Sequence, residues 1–304
     1  MLMRITQSMM NNQFMHNLNL SNERMNTYQE VLSSGLKLNR PSDDPVGVGY
    51  AMRYTAQLAA NDQYVSNASA GQSQLEYLDT TLGQINEVLQ RAKELAVQGA
   101  SGSVPADARK AIGEEMDQLY KQLVDLSNSQ FSGRYIFNGQ KTDTRPYDLA
   151  NAMYQQTDDG VINYQMSEGV SLQVNVNGDE VFGPPTTAAG MPTSDNLFAV
   201  MRNLTDSLNS SDAAGIASAM DKLETGLNRV LQVRSSVGAR SNRLELIQNR
   251  LKDVNLNVTT LLSKTTDADI AQTITDMTTA QSVQRAAMAS GTRIIQPTLV
   301  DYLR

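Results

Sequence analysis

From Leu75 onward, apolar side chains advance by alternate steps of three and four residues: Leu75, Leu78, Leu82, Ile85, Leu89, Ala92 and Ala96. That spacing places all seven on one stripe of a helix, and a stripe so long has to be covered by other helices. The pattern predicts a helix from about Val46 to Gln98, stopped by "GASGSVPAD". Aromatic residues make up only 5% of the 304, and Trp is absent, so packing must come from aliphatic seams rather than from a broad aromatic core.

Four further stretches carry the same signature. Near the start, Phe14, Leu18, Ser21, Met25, Tyr28 and Leu32 keep the spacing with one polar lapse at Ser21. A third seam, Ile112, Met116, Leu119, Leu123 and Leu126, follows a connection short enough to predict an antiparallel helical hairpin. In the second half, Leu223, Leu227, Val230 and Val237 lead into Leu244, Ile247, Leu251, Val254, Val258 and Leu261, one very long helix or one bent near Gly238. The last seam holds Ile270, Ile274, Met277, Met288 and Ile295, with Gln281, Gln284 and Gly291 inside its stripe.

Between the helical halves the period falls to two. Ile162, Tyr164 and Met166, then Val170, Leu172, Val174 and Val176, alternate with polar residues as half-buried strands do. The Asn177-Gly178 pair is read as a tight hairpin turn, and "GPPTTAAGMPTSD" as an exposed connection back to helix. The expected fold is mainly α with a small β-rich insertion: an elongated antiparallel helical bundle formed by both chain halves, with terminal helices forming an inner assembly layer. Residues 1–40 and 265–304 would supply that inner layer, 41–138 and 196–264 the helical body, and 139–195 the outer insertion.

The stretch "VLSSGLKLNRPSDDPVGVGY", residues 31–50, interrupts the first two seams. Gly35 suits a left-handed residue closing the first helix, and Pro41 withholds a backbone donor from any continuation. Asp43 or Asp44 can cap the next helix, with Pro45 in its first turn, where a missing N–H costs little. A carboxylate pair could also hold a cation or exchange protons, but no nucleophile, histidine or further ligand set accompanies it. Asp267 and Asp269 in "TTDADIAQ" likewise read as a helix start. Gly47 and Gly49 begin a GxG without a preceding strand, which is no dinucleotide motif. His16, the only histidine, sits on a helix surface and receives no catalytic role.

Composition removes several function classes. With 25 Lys plus Arg against 32 Asp plus Glu, the net charge of -7 repels phosphate backbones, so no nucleic acid is expected as partner. Absence of Cys excludes disulfides, thiolate nucleophiles and sulfur metal sites together. No apolar run is long enough for a membrane span, and the opening residues have no secretory h-region. No cofactor, metal or catalytic residue is assigned, and the chain is not read as an enzyme. Met116 reads as core; for Met9, Met10, Met15 and Met25, core filling and an adaptable interface stand side by side. The sequons at Asn67 and Asn257 lie in helical context and are not read as glycosylated.

A single striped helix has no place to hide its stripe. The two ends are therefore expected to be mobile in a dilute monomer and to order when they pack in an assembly, with stability depending on partner concentration. The expected interface residues are Phe14, Leu18, Met25, Tyr28, Leu32, Ile270, Ile274, Met277, Met288, Ile295, Leu299 and Leu303; Gly35, Pro41, Asp43, Asp44 and Pro45 form the joint.

"LSSGLKLNRPSDDPVG" resembles the N-terminal segment of the bacterial flagellin superfamily, and its "NRPSDDP" form is similar to the hook–filament junction branch of that family. "LQRAKELAVQGASG" and "FSGRYIFNGQKTDTRPY" resemble, respectively, a shared helix segment and the passage out of the helical domain. "DADIAQTITDMTTAQSVQRAAMASGTRIIQPTLVDYLR" resembles the junction branch through its Gln-Pro-x-Leu-x-Asp-aromatic-Leu-Arg tail. The resemblance implies a non-enzymatic axial component of the bacterial flagellum, exported unfolded through the type III apparatus and placed outside the cell at the hook–filament junction. Implied partners are hook-associated protein 1, flagellin, copies of the chain itself and a cytoplasmic export chaperone binding the C-terminal helical region. Filament flagellin is the nearest alternative; a coiled-coil scaffold explains the seams but not the strands, and a carboxylate-dependent hydrolase would need distant ligands.

Overall fold

The computed structural model describes residues 7–101, 104–187 and 194–295; side chains 7–8 and 292–295 lie outside that description. Helices α1 (Gln7–Ser34), α2 (Pro45–Ala100) and α3 (Ala106–Ser127) come first. Two short antiparallel hairpins follow, β1 (Gln130–Phe131) with β2 (Arg134–Tyr135), then β3 (Asn163–Ser167) with β4 (Val170–Gln173). Helices α4 (Gly178–Phe182), α5 (Leu197–Ser210), α6 (Ala213–Thr266) and α7 (Ile270–Ile295) complete the described chain. The mainly α fold with a small β region agrees with the periodicity. So does the single α6 helix, which runs through Gly238 without interruption.

The chain forms two compact units, residues 61–253 and residues 1–60 with 254–304. In the larger one, the Leu75–Ala96 seam is covered: Leu75, Leu78, Leu82, Ile85, Leu89, Ala92 and Ala96 are fully buried. From α6 come Leu223, Val230, Val237 and Leu244, equally buried. Polar bonds fix these helices antiparallel: the Asn61 amide donates to the Leu251 carbonyl at 3.0 Å, Gln72 to Ser241 at 3.0 Å, Arg234 to Asp79 at 2.8 and 3.1 Å, and Lys93 to Glu224 at 3.2 Å. The α2 number rises through this series as the α6 number falls, which sets one register. Arg91 bonds Glu115 at 2.7 Å, joining α2 to α3 as the short connection predicts.

Two features depart from the sequence expectation. Asn177 and Gly178 do not turn a hairpin. Asn177 precedes α4, whereas the β3–β4 turn is made by Gly169 at φ +74°. A Cβ on Gly178 would stand 2.3 Å from the Tyr147 hydroxyl, so that glycine serves close packing rather than turning. The second departure is α5, which the seam pattern missed. Its first turn is enclosed, with Leu197, Phe198, Ala199, Val200 and Met201 fully buried, while Arg202, Asp206, Asn209 and Ser210 farther along are exposed, so the stripe that Leu204 and Leu208 continue is masked at its start by an unbroken apolar run.

Helix α5 closes the core. The Asn196 side-chain oxygen accepts from the Phe198 and Ala199 amides, at 3.1 and 3.3 Å, while its nitrogen donates to the Gly183 and Pro184 carbonyls. One residue thus caps a helix and ties down the chain entering it. Around it, Phe182 stacks on Phe198 with ring centroids 4.9 Å apart and meets Phe137 and Tyr147 edge-on at 5.4 Å. The few aromatics are concentrated where the insertion must be held to the helices, which is where large rigid side chains add most.

Candidate assembly face on the terminal helices

The smaller unit is built round the antiparallel pairing of α1 and α7. Three contacts give the register: a Cβ at Gly291 would lie 2.2 Å from the Phe14 ring, Gln284 donates to Asn22, and Leu36 bridges Asp267. Phe14, Leu18, Met25, Tyr28 and Leu32 are half-buried on the α1 stripe, with Ser21 among them. The predicted stripe is therefore real, but its neighbour covers it only partly.

On α7 the protected positions are Thr273, Met277, Ala280, Gln284, Ala287 and Gly291, again spaced by four and three. Met277 apart, this seam is made of small and polar residues. Small side chains let two backbones approach, and Gly291 leaves a slot that the Phe14 ring fills. Sequence reasoning placed Gln284 and Gly291 in the stripe but missed Thr273, Ala280 and Ala287, because it anchored the stripe on the large apolar side chains. The signal was present in their heptad spacing.

The large apolar residues of α7 fall beside that seam instead. Ile270 is 41%, Ile274 49% and Met288 53% exposed, and at 100° per residue they cluster on one flank of the helix. Met277 belongs both to the seam and to the edge of this flank. The Ile295 side chain, Leu299 and Leu303 lie outside the described residues. On α1, Met9, Met10, Met15 and Leu20 are also exposed. Beyond the joint, Val46 is 66% and Met52 70% exposed, the latter beside a groove of about 510 Å³ lined by Leu38, Pro41, Val48 and Ala51.

The joint residues take the roles their types allow. Gly35 adopts φ +74° and returns its amide to the Val31 carbonyl at 2.8 Å, ending α1. Pro41 occupies a turn closed by the Asp43 amide on the Arg40 carbonyl at 3.0 Å. The Asp43 carboxylate accepts from the Asn39 and Arg40 amides, at 3.2 and 2.8 Å, so it stiffens the turn. Asp44 is the cap: its carboxylate accepts from the Val46 amide at 3.0 Å and its carbonyl from Val48, with Pro45 opening α2. Each aspartate is engaged with backbone amides.

Across the joint, the Lys37 amide donates to the Thr266 carbonyl at 2.8 Å and the Ala268 amide to the Gly35 carbonyl at 3.0 Å. The Lys37 ammonium reaches the Lys264 carbonyl at 2.8 Å. Hydroxyls of Ser263 and Thr266 donate to Asp267, and with Lys37 nearby they hold its carboxyl below the ordinary carboxylate range. Asp269 accepts from the Gln272 amide and caps α7. The exit from α1 and the entry into α7 are thus stitched at one place by main-chain bonds. His16 is exposed on α1. Among the described residues no group of three or more acidic, His or Cys side chains could hold a metal ion, and no helix is long and apolar enough to cross a membrane.

The α1–α7 pair is half-closed, and large apolar residues on its flanks are left uncovered within the single chain, which marks a helical protein with an open apolar face. Comparison with known proteins narrows that class. Residues 5–142 match the bacterial flagellin N-terminal helical region and residues 220–303 the bacterial flagellin C-terminal helical region. Flagellar hook-associated protein 3 of Escherichia coli K12 is 29% identical over 94% of this chain and 95% of its own. Flagellin of Bacillus subtilis is 25% identical over 90% of each. The fold is shared with a solved putative flagellar hook-associated protein from Vibrio parahaemolyticus, with a TM-score of 0.67 and 21% identity over 74% of this chain and all of that one. The chain belongs to the bacterial flagellin family, in which its two helical ends are the matched regions.

Proposed function

We infer that this chain is a structural axial protein of the bacterial flagellum that joins the hook side to the flagellin filament by helical assembly. The carrying observation is the exposed flank Ile270, Ile274 and Met288 beside an already formed α1–α7 seam. Water-exposed apolar surface at helical spacing gains free energy when another copy covers it, and heterologous contacts between copies build an open helical array. The higher identity to a hook-associated protein, 29% against 25% for a flagellin matched over a similar length, supports the junction over the filament.

In this reading residues 1–40 and 265–304 form the inner layer, 41–138 and 196–264 the helical body, and 139–195 the outer insertion. Phe14, Leu18, Met25, Tyr28, Leu32, Ile270, Ile274, Met277, Met288, Ile295, Leu299 and Leu303 supply contacts to neighbours. Those neighbours are hook-associated protein 1, flagellin and further copies. Before export the chain stays in the cytoplasm, its C-terminal helical region held by an export chaperone, and afterwards it is extracellular. It performs no catalysis; its mechanism is the sum of many weak contacts repeated round a tube.

Deleting the gene tests this. Hooks should still form while unpolymerised flagellin accumulates in the medium, and a labelled copy should give one focus at each hook's distal end. Loss of the filament subunit itself, with the junction intact, would make this chain a filament flagellin instead.

A further inference from the structure

The chain has 15 methionines and neither Cys nor Trp. Thioether sulfur is therefore its foremost target for a two-electron oxidant. The methionines are sharply divided between the two units. In the larger unit Met116, Met166 and Met201 are fully buried, Met153 is 5% exposed, and Met220 is half-buried. In the smaller unit Met9, Met10, Met15, Met52 and Met288 are 55%, 44%, 49%, 70% and 53% exposed. Every exposed methionine among the described residues lies in the unit that carries the candidate assembly face.

We propose that Met9, Met10, Met15, Met52 and Met288 are an oxidation-sensitive modification site that makes unassembled subunits, but not assembled ones, responsive to peroxide. This rests on the assembly reading above. Peroxide transfers one oxygen atom to the thioether: the sulfur loses two electrons and becomes a sulfoxide, and hydrogen peroxide is reduced to water. A methionine sulfoxide reductase with a dithiol donor reverses the step, releasing water and leaving the donor as a disulfide. A sulfoxide carries a strong acceptor oxygen that stays solvated on a free helix but lacks a donor when an apolar neighbour covers it. Oxidation thus leaves the larger unit folded and blocks the contacts of the smaller one. Assembly buries the same sulfurs and closes the reaction.

Leucine would give the same helix propensity and more secure packing at these positions. Met288 stands on the Ile270–Ile274 flank of α7, and Met52 borders the groove at the joint. Both are places where one added oxygen would meet an incoming apolar surface.

The test treats dilute, full-length purified chain with hydrogen peroxide and follows the gain of one oxygen per methionine by peptide mass spectrometry. Met9, Met10, Met15, Met52 and Met288 should react at least about tenfold faster than Met116, Met166 and Met201. Oxidised chain should require roughly tenfold more protein for half-maximal capture on isolated hooks. Reductase should restore capture. Chain already captured should resist oxidation at those five positions. The variant Met9→Leu, Met10→Leu, Met15→Leu, Met52→Leu, Met288→Leu should show, after peroxide, the same capture that it shows before treatment, whatever that starting level is. Equal oxidation of all methionines, undiminished capture of oxidised chain, or continued peroxide sensitivity of the Leu variant would overturn the proposal. Untreated chain that never binds hooks or itself would instead remove the assembly reading, while the oxidation rates would still report which sulfurs are accessible.

Discussion

Gly291 offers the sharpest test of how α1 and α7 meet. An added Cβ would stand 2.2 Å from the Phe14 ring tip and 2.8 Å from its neighbours, far inside contact distance, so the ring must leave its slot. Fully burying a Phe side chain stabilises by roughly 1.5–3 kcal/mol, and for this half-buried ring a loss of about 1 kcal/mol is the appropriate size. Replacing Gly by Ala in a helix interior gains about 1 kcal/mol on its own. Gly291→Ala alone should therefore be close to neutral, which makes it uninformative as a single variant. In a Phe14→Ala background the clash is gone, and the same change should stabilise by the full propensity term. The double-mutant cycle isolates a coupling of about 1 kcal/mol, equivalent to about fivefold in an opening equilibrium. Hydrogen exchange of α1 and α7 amides, measured on concentrated protein, reads that equilibrium. Gly291→Ala having the same effect in both backgrounds would refute the close approach of Phe14 to Gly291.

Other parts of the structure make independent predictions. Asp44→Ala should destabilise the start of α2 by about 1 kcal/mol through loss of its cap, seen as faster amide exchange at Val46 and Val48, with Asp44→Asn largely tolerated. Phe182→Ala, in the centre of the aromatic cluster, should cost about 3–5 kcal/mol in denaturant unfolding of the larger unit. Arg234→Ala should cost no more than about 1 kcal/mol, and less at high salt, because the Asp79–Arg234 pair is well exposed. The Asp267 carboxyl is held below its ordinary range by the Ser263 and Thr266 hydroxyls, so its bonds stabilise the joint above about pH 4 and that contribution is lost as pH falls through the lowered folded value. Asp267→Asn should remove this acid-range component from a pH series of amide exchange at Lys37 and Ala268.

Much of the architecture was legible because it rests on periodicity. Leu75 to Ala96 could be placed on one buried face from spacing alone, and Gly35, Asp44 and Pro45 carry their conformational preferences with them wherever they stand. The same logic failed where burial is complete or local signals compete. Leu197 to Met201 read as a short apolar run, since the enclosed first turn of α5 shows no alternation of its own. Asn177-Gly178 has the composition of a hairpin turn, yet packing beneath Tyr147 and Phe137 made it a helix start, and the turn fell to Gly169.

The candidate site shows the same division. Its large residues, Ile270, Ile274 and Met288, were evident from the sequence, because hydrophobicity and spacing belong to the chain itself. Which of them face inward was decided by the tertiary structure: Thr273, Ala280, Ala287 and Gly291 meet α1, and the larger side chains are left on the flank. The physical reason is the distance between two backbones. Small residues permit an approach that large ones forbid, so the helix turns its small face inward and leaves its greasier one for a neighbour.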